Sequence, residues 1–251
     1  CTATATNRLA EALCNGASSL QPLYLQESRT TLRVSQLLPE AKLFTEVEYT
    51  QRLTAFLQQV VDGLDEDVQA LVIKTPMRLR IKHNQVLPDD QVLSLWQACI
   101  GQAWVFDQVE FGTQDDGLLW LDHWLDQPSP VALVLSLEIH LFLQPFAEQA
   151  ESVSAVLLAL PEWCAGESVV PGAWVQRPVA MTDEVDSFKD ACLWGQVAEA
   201  DVSYFSWQTQ VSAEGQCRMS EMMTAAGYAL AGERTKRLDD ALGLPGCAVG
   251  N

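Results

Sequence analysis

Residues 131–142 read Val-Ala-Leu-Val-Leu-Ser-Leu-Glu-Ile-His-Leu-Phe, and residues 152–160 read Ser-Val-Ser-Ala-Val-Leu-Leu-Ala-Leu. Both runs are nearly continuous in alanine, valine, leucine and isoleucine. That is the composition of strands covered by helices on both faces, so they predict two long buried strands. The link between them carries Pro145 and two glutamates.

Upstream, the periodicity changes from strand to helix and back. Val47, Leu53, Phe56, Leu57, Val60, Val61 and Leu64 recur close to helical spacing, with Thr45 as N-cap, Glu48 as its capping-box partner and Gly63 near the end. Ala70-Leu71-Val72-Ile73 reads as a buried strand. Met77 to Ile81 alternates apolar and basic residues, which predicts a half-exposed strand. Pro88-Asp89-Asp90 starts a helix through Val92, Leu95, Trp96 and Cys99, and Asp107 to Phe111 is a short strand. Asp115 opens a further helix with Leu118, Leu119, Leu121, Trp124 and Leu125 on its apolar face, stopped by Pro128.

Downstream, a glycine and proline cluster at Gly166, Pro171 and Gly172 precedes a shorter strand over Trp174 to Val179. The last third reads as helical at Asp183 to Trp194, Asp201 to Thr209, Met219 to Ala231 and from Arg237. Residues 1–44 have weak periodicity, with a short helix at Asn7 to Leu13 and a turn at Asn15-Gly16. The chain therefore divides into an irregular or helical segment over 1–44 and an α/β domain over 45–251. The interleaved elements imply a mixed sheet covered by helices.

The chain has 251 residues, 48% of them apolar, enough for a substantial core. Fifteen basic residues stand against 33 acidic ones, a formal charge of -18. Such a surface repels phosphate backbones and anionic lipid heads, which argues against nucleic-acid binding and suits either solubility or a basic protein partner. No apolar run reaches the ~18 residues of a spanning helix. Cys1-Thr2-Ala3-Thr4-Ala5-Thr6 lacks the basic and apolar regions of a signal peptide. A first residue other than Met suggests a trimmed or processed piece, and Cys1 fits the lipidated start of a mature lipoprotein. The seven cysteines, at 1, 14, 99, 164, 192, 217 and 247, are scattered and odd in number. They suit buried, reduced thiols better than a zinc site or a disulfide framework.

Chemistry-bearing patterns are sparse. Of three histidines, His83 lies in a polar turn, His123 sits between Asp122 and Trp124, and His140 ends a strand two residues after Glu138. Spacing two points Glu138 and His140 to one face, where a carboxylate can orient an imidazole; a paired core histidine is the commoner outcome. Asp122, His123 and Asp126 are the nearest approach to metal-ligand spacing, although a solvated helix face explains them. There is no phosphate-binding glycine loop and no nucleophile elbow. The acidic doublets Asp115-Asp116, Asp183-Glu184 and Asp239-Asp240 favour the positive ends of helix dipoles. Eight tryptophans are many for this length. Trp96, Trp104, Trp120 and Trp124 suit core layers or binding surfaces alike.

Two segments resemble the thiolase-like fold of β-ketoacyl synthases. Residues 147–160, from Ala147 to Leu160, are similar to the small-residue strand that follows an acidic turn in those enzymes. Residues 242–250, Leu-Gly-Leu-Pro-Gly-Cys-Ala-Val-Gly, are similar to their Gly-His-x-x-x-Ala-Ala-Gly segment. Leu244 stands where that family places a catalytic histidine. Cys99, in Gln97-Ala98-Cys99-Ile100, lacks the small neighbours of a nucleophile elbow. The resemblance therefore implies a catalytically degenerate scaffold, a pseudoenzyme.

The wider pattern resembles the bacterial adaptor proteins encoded beside type VI secretion lipases. It is carried by Leu119-Trp120-Leu121-Asp122-His123-Trp124-Leu125-Asp126, the strand from Ala132 to His140, and the stretch from Arg177-Pro178 to Trp194-Gly195. That resemblance implies a cytoplasmic, non-catalytic adaptor or chaperone that holds a lipase-like effector and helps load it on the secretion spike. It implies no catalytic, metal or cofactor residues and identifies no partner-binding ones. Two alternatives stand beside it. One is an acyl-transfer or hydrolase enzyme with a non-standard site around Glu138 and His140, with Cys99 as a further candidate. The other is an envelope lipoprotein or trimmed ectodomain, periplasmic or membrane-anchored through residues outside this chain.

Overall fold

The computed structural model describes residues 21–25, 29–34, 45–64, 70–71, 75–101, 104, 106–113, 118–144, 149–180, 182, 184–198, 205–207, 213–228, 235–237 and 244–245. In chain order the strands are β1 (Gln21–Leu25), β2 (Thr30–Val34), β3 (Met77–His83), β4 (Phe106–Phe111), β5 (Leu133–His140), β6 (Gln149–Ala150), β7 (Ser152–Ala159), β8 (Phe205–Trp207), β9 (Thr235–Arg237) and β10 (Leu244–Pro245). The helices are α1 (Glu46–Gly63), α2 (Asp89–Ile100), α3 (Leu119–Leu125), α4 (Pro161–Glu167), α5 (Glu184–Trp194) and α6 (Ala213–Ala225).

The main sheet is mixed, in the order β4-β3-β5-β7. β3 runs parallel to β4 and β5, and β7 closes one edge antiparallel to β5. This is an open α/β sheet. The apolar residues of the quoted runs divide by parity. Leu133, Leu135, Leu137 and Ile139 join Met77, Leu79 and Ile81 in a core capped by Tyr49, Leu53 and Leu57 of α1 and by Val92 and Trp96 of α2. Val134 faces the other way, beneath Trp120, Leu121 and Trp124 of α3. Both faces thus carry helices, α1 and α2 on one and α3 on the other.

α1 begins where its sequence signals put it. Thr45 Oγ1 accepts from the Glu48 amide at 3.2 Å, and the Glu48 carboxylate accepts from the Thr45 amide at 2.8 Å. This closed capping box satisfies two backbone donors at the start of the helix. It also holds the Glu48 carboxyl below its ordinary range, chiefly through the Thr45 backbone amide. Two residues of this helix, one turn apart, reach the far end of the sheet. Tyr49 donates its hydroxyl to the Leu141 carbonyl at 3.2 Å. Arg52 donates to the Phe142 carbonyl at 2.9 Å and to Glu151 at 2.8 Å.

Burial raises the Tyr49 phenol well above its ordinary value, with Arg52 opposing and Glu151 adding to the shift. The sign follows from linkage. The folded chain holds this proton more tightly than the unfolded one, so the associated stability is fully present below the unfolded pKa of about 10. It is lost as pH rises toward the folded value. Urea midpoints of the parent should therefore fall above about pH 10 more steeply than those of Tyr49→Phe. Parallel curves would mean that the phenol ionises freely in the folded state.

Several sequence expectations are corrected. Ala70 and Leu71 are helical, and Val72 and Ile73 lie outside the described residues. A four-residue apolar run does not distinguish a strand from a buried helical turn. The alternating segment from Met77 is buried on both sides, not half-exposed, and continues to His83. Trp174 to Val179 forms no strand and pairs with no described strand. Pro178 lacks an N–H for a ladder, and strand propensity alone supplies no partner. Within the stretch read as helix from Asp201, residues 205–207 form β8, which runs parallel to β9. Arg237, read as a helix start, ends β9. α6 starts before Met219 and ends at Ala225, short of Ala231. In the segment read as irregular or helical, β1 and β2 form an antiparallel hairpin. The helix expected at Asn7 to Leu13 lies outside the described residues.

Candidate functional site

The chain leaves β3 at His83, crosses through α2 to β4, and returns by α3 to β5 on the other side of β3. The carboxyl ends of β3 and β5 therefore flank a topological switch point, the usual ligand crevice of open α/β sheets. His83, Asn84 and His140 meet this edge. Asn84 Oδ1 lies 3.0 Å from His140 Nδ1, while its Nδ2 donates to the Leu141 carbonyl at 3.4 Å. With the amide so oriented, His140 Nδ1 is the donor in this pair. His83 is committed differently. Its Nδ1 accepts from the Gln85 amide at 3.2 Å, so its Nε2–H faces Asp89 at 2.9 Å. That clamp secures a turn in which Gln85 has φ 59, a left-handed conformation costly for a residue with a Cβ.

The second face of the sheet is polar on β3 and on β5 beyond Val134, and it is buried nonetheless. Arg78, Arg80 and Lys82 of β3 line up beside Ser136, Glu138 and His140 of β5. Arg78 reaches Gln127 at 3.1 Å and Glu110 at 3.6 Å. Arg80 lies 3.5 Å from Glu138 and 4.6 Å above the Trp120 ring. The guanidinium is thus held between a carboxylate and an aromatic face, an arrangement strengthened by desolvation. Glu138 and His140 share a face, as spacing two requires; Glu138 forms an ion pair with Arg80, and His140 is hydrogen-bonded to Asn84.

Other sequence candidates are separated. Cys99 lies against the Thr54 carbonyl at 3.8 Å, and burial, with Asp62 adding, pushes its thiol up. That lowers the thiolate fraction and works against a nucleophile. Among the described cysteines, alkylation at neutral pH followed by mass spectrometry of each site should label exposed Cys217 before Cys99 and Cys164. Fast labelling of Cys99 would contradict its placement. Asp122 and Asp126 hold Arg177: its guanidinium is hydrogen-bonded to Asp126 and lies 3.4 Å from Asp122. His123 is exposed between them. Among the described residues no group of three or more His, Cys, Asp or Glu is placed to hold a metal ion. No helix among them is long and apolar enough to cross a membrane.

Trp96, Trp104, Trp120 and Trp124 are all core residues. The exposed tryptophans are others. Trp174 is 63% exposed and Val170 is 90% exposed, on a strap without helix or strand that follows α4. Val175 on the strap, and Leu193 and Trp194 at the end of α5, are exposed as well. Gln176 sits against Gly195, which brings the strap to that end of α5. Between the strap, α3 and the outer strand β7 lies a groove of about 470 Å³, lined by Leu121, Trp124, Leu157, Trp163, Trp174 and Val175 among others. The available sequence signal was the Pro171-Gly172 break followed at once by Trp174 and Val175. Without knowledge of which strands had neighbours, that signal read as one more strand.

Comparison with protein-family models and with curated protein sequences gives no match.

Proposed function

We propose that this chain is a non-catalytic adaptor that binds another protein through the strap and its groove. The observation that carries the reading is the set of large apolar side chains, Val170, Trp174 and Val175, presented to solvent on one segment. Single exposed hydrophobic residues are ordinary, whereas a cluster beside a preformed groove is a mark of protein recognition. The resemblances in the sequence narrow the proposal. The scaffold is thiolase-like and degenerate, and the partner is a lipase-like type VI effector, held in the cytoplasm before loading on the spike.

The test is isolation of the tagged full-length protein from its own host, with Trp174→Glu alongside. A stoichiometric lipase or spike component that is lost with Trp174→Glu supports the adaptor. Recovery of the chain alone, or with a small molecule, overturns it.

A second reading has one observation in its favour. His140 and Asn84 stand at the switch point, where α/β sheets commonly hold ligands. On that reading the chain is an acyl-transfer or hydrolase enzyme centred on Glu138 and His140. Turnover that survives His140→Ala would remove it.

A further inference from the structure

We infer that the groove takes an extended, uncharged segment of the partner as an added strand, hydrogen-bonded to the open edge of β7. The inference rests on the protein-binding reading above and adds the mode of recognition and the chemistry of the segment. Its ground is the ladder between β5 and β7. The Leu160 amide donates to the Ala132 carbonyl at 3.0 Å. That pair continues the register in which Ala159 faces Leu133 and Leu158 faces Val134. In an antiparallel ladder the hydrogen-bonded pairs alternate along the strand. Ser154, Val156 and Leu158 therefore bond to β5. Val153, Ala155, Leu157 and Ala159 turn their N–H and C=O groups to the other side. No described strand lies there, and the groove runs past Leu157 and Ala159.

The two edges of the sheet are built differently. β4, at the other edge, carries Asp107 and Glu110, and its register against β3 shifts between Met77 and Arg78. Charges and bulges are devices that keep an edge from pairing. β7 has neither. Its eight residues, Ser-Val-Ser-Ala-Val-Leu-Leu-Ala, hold no charge and no proline, and its register is unbroken. An edge left open beside a groove suits strand addition, in which backbone hydrogen bonds give affinity and the walls select side chains.

The walls are apolar on both sides of the edge. Leu157 and Trp163 belong to the core under α1 and α2, whereas Leu158 and Trp124 belong to the one under α3. A seated strand therefore meets apolar surface with its odd and even residues alike. The one charged residue of the lining, Arg177, is already paired with Asp122 and Asp126. A charge on the segment would be buried there without a counter-ion, so the groove favours a run of valine, isoleucine or threonine. A second copy of β7 has such a sequence, but each copy carries a formal charge of -18, which opposes self-association.

The probe is a synthetic peptide as long as β7, made of valine, isoleucine and threonine and carrying an uncharged polyether tail for solubility. Binding to the full chain is followed by anisotropy, and amide exchange along β7 is read residue by residue by NMR. In the free chain the amides of Val153, Ala155, Leu157 and Ala159 should exchange faster than those of Ser154, Val156 and Leu158. The peptide should slow the first set about tenfold or more and leave the second set unchanged. The same peptide methylated on every backbone nitrogen keeps its side chains and loses its donors, so it should bind at least about tenfold more weakly. Slow exchange of the first set in the free chain would mean an edge already paired, and equal binding of the methylated peptide would mean that side chains alone are held. Either result overturns the added strand. So does slowing of the first set when the chain alone is concentrated, which would make the occupant a second copy. The protein-binding reading fails separately, only if isolation from the host returns the chain without a protein.

Discussion

Replacing Arg52 with alanine is expected to destabilise the fold by roughly 3–5 kcal/mol, the usual cost of removing one member of a buried ion pair. The Arg52 and Glu151 side chains are 2% and 1% exposed and meet at 2.8 Å. The same guanidinium nitrogen donates to the Phe142 carbonyl, and the same carboxylate oxygen accepts the Phe142 amide at 3.1 Å. Two charges and both polar groups of Phe142 are thus joined in one knot, where α1 meets the link from β5 to β7. Arg52→Ala removes the guanidinium that the buried carboxylate faces. Glu151→Ala does the converse. Both should lower the urea midpoint without altering the slope of unfolding. The double variant Arg52→Met with Glu151→Leu should recover much of the loss, because an apolar pair avoids the desolvation of two ions. Single losses below about 1 kcal/mol would instead describe an exposed pair, and the buried arrangement would be wrong.

This knot also shows what the sequence could and could not disclose. α1 was readable with its cap, since Thr45 and Glu48 are three residues apart and the apolar spacing is internal to the helix. β5 and β7 were readable as nearly continuous apolar runs, although β7 is a half-buried edge strand with Val156 exposed and not a strand covered on both faces. The partnership of Arg52 with Glu151 spans 99 positions, and it exists only once β7 folds back against β5. Periodicity carries no information at that range. The buried arginines of β3 show the same limit. Alternation of apolar and basic residues ordinarily marks a solvent-facing side, and here it marks a second buried layer.

Glu138 bears most directly on whether the polar face packs or reacts. Glu138→Ala is expected to cost roughly 3–5 kcal/mol, because it strips the carboxylate that faces a buried guanidinium. Glu138 is 0% and Arg80 1% exposed at the side chain, and they lie 3.5 Å apart. Trp120 covers the guanidinium from the other side. Its quadrupole attracts the cation without replacing the carboxylate charge. Glu138→Gln keeps the shape and an acceptor oxygen, so its loss should be smaller but measurable by urea unfolding. A carboxylate placed for catalysis would give a different result. Glu138→Gln would then unfold like the parent and show its defect only in turnover, since catalytic groups are commonly held at some cost to stability. A midpoint unchanged by Glu138→Gln would thus favour the enzyme reading. A clear drop would make Glu138 a structural counter-charge, with His140 held separately by Asn84. The weight of the functional argument would then fall on the exposed strap, where Trp174 is free of such obligations to the core.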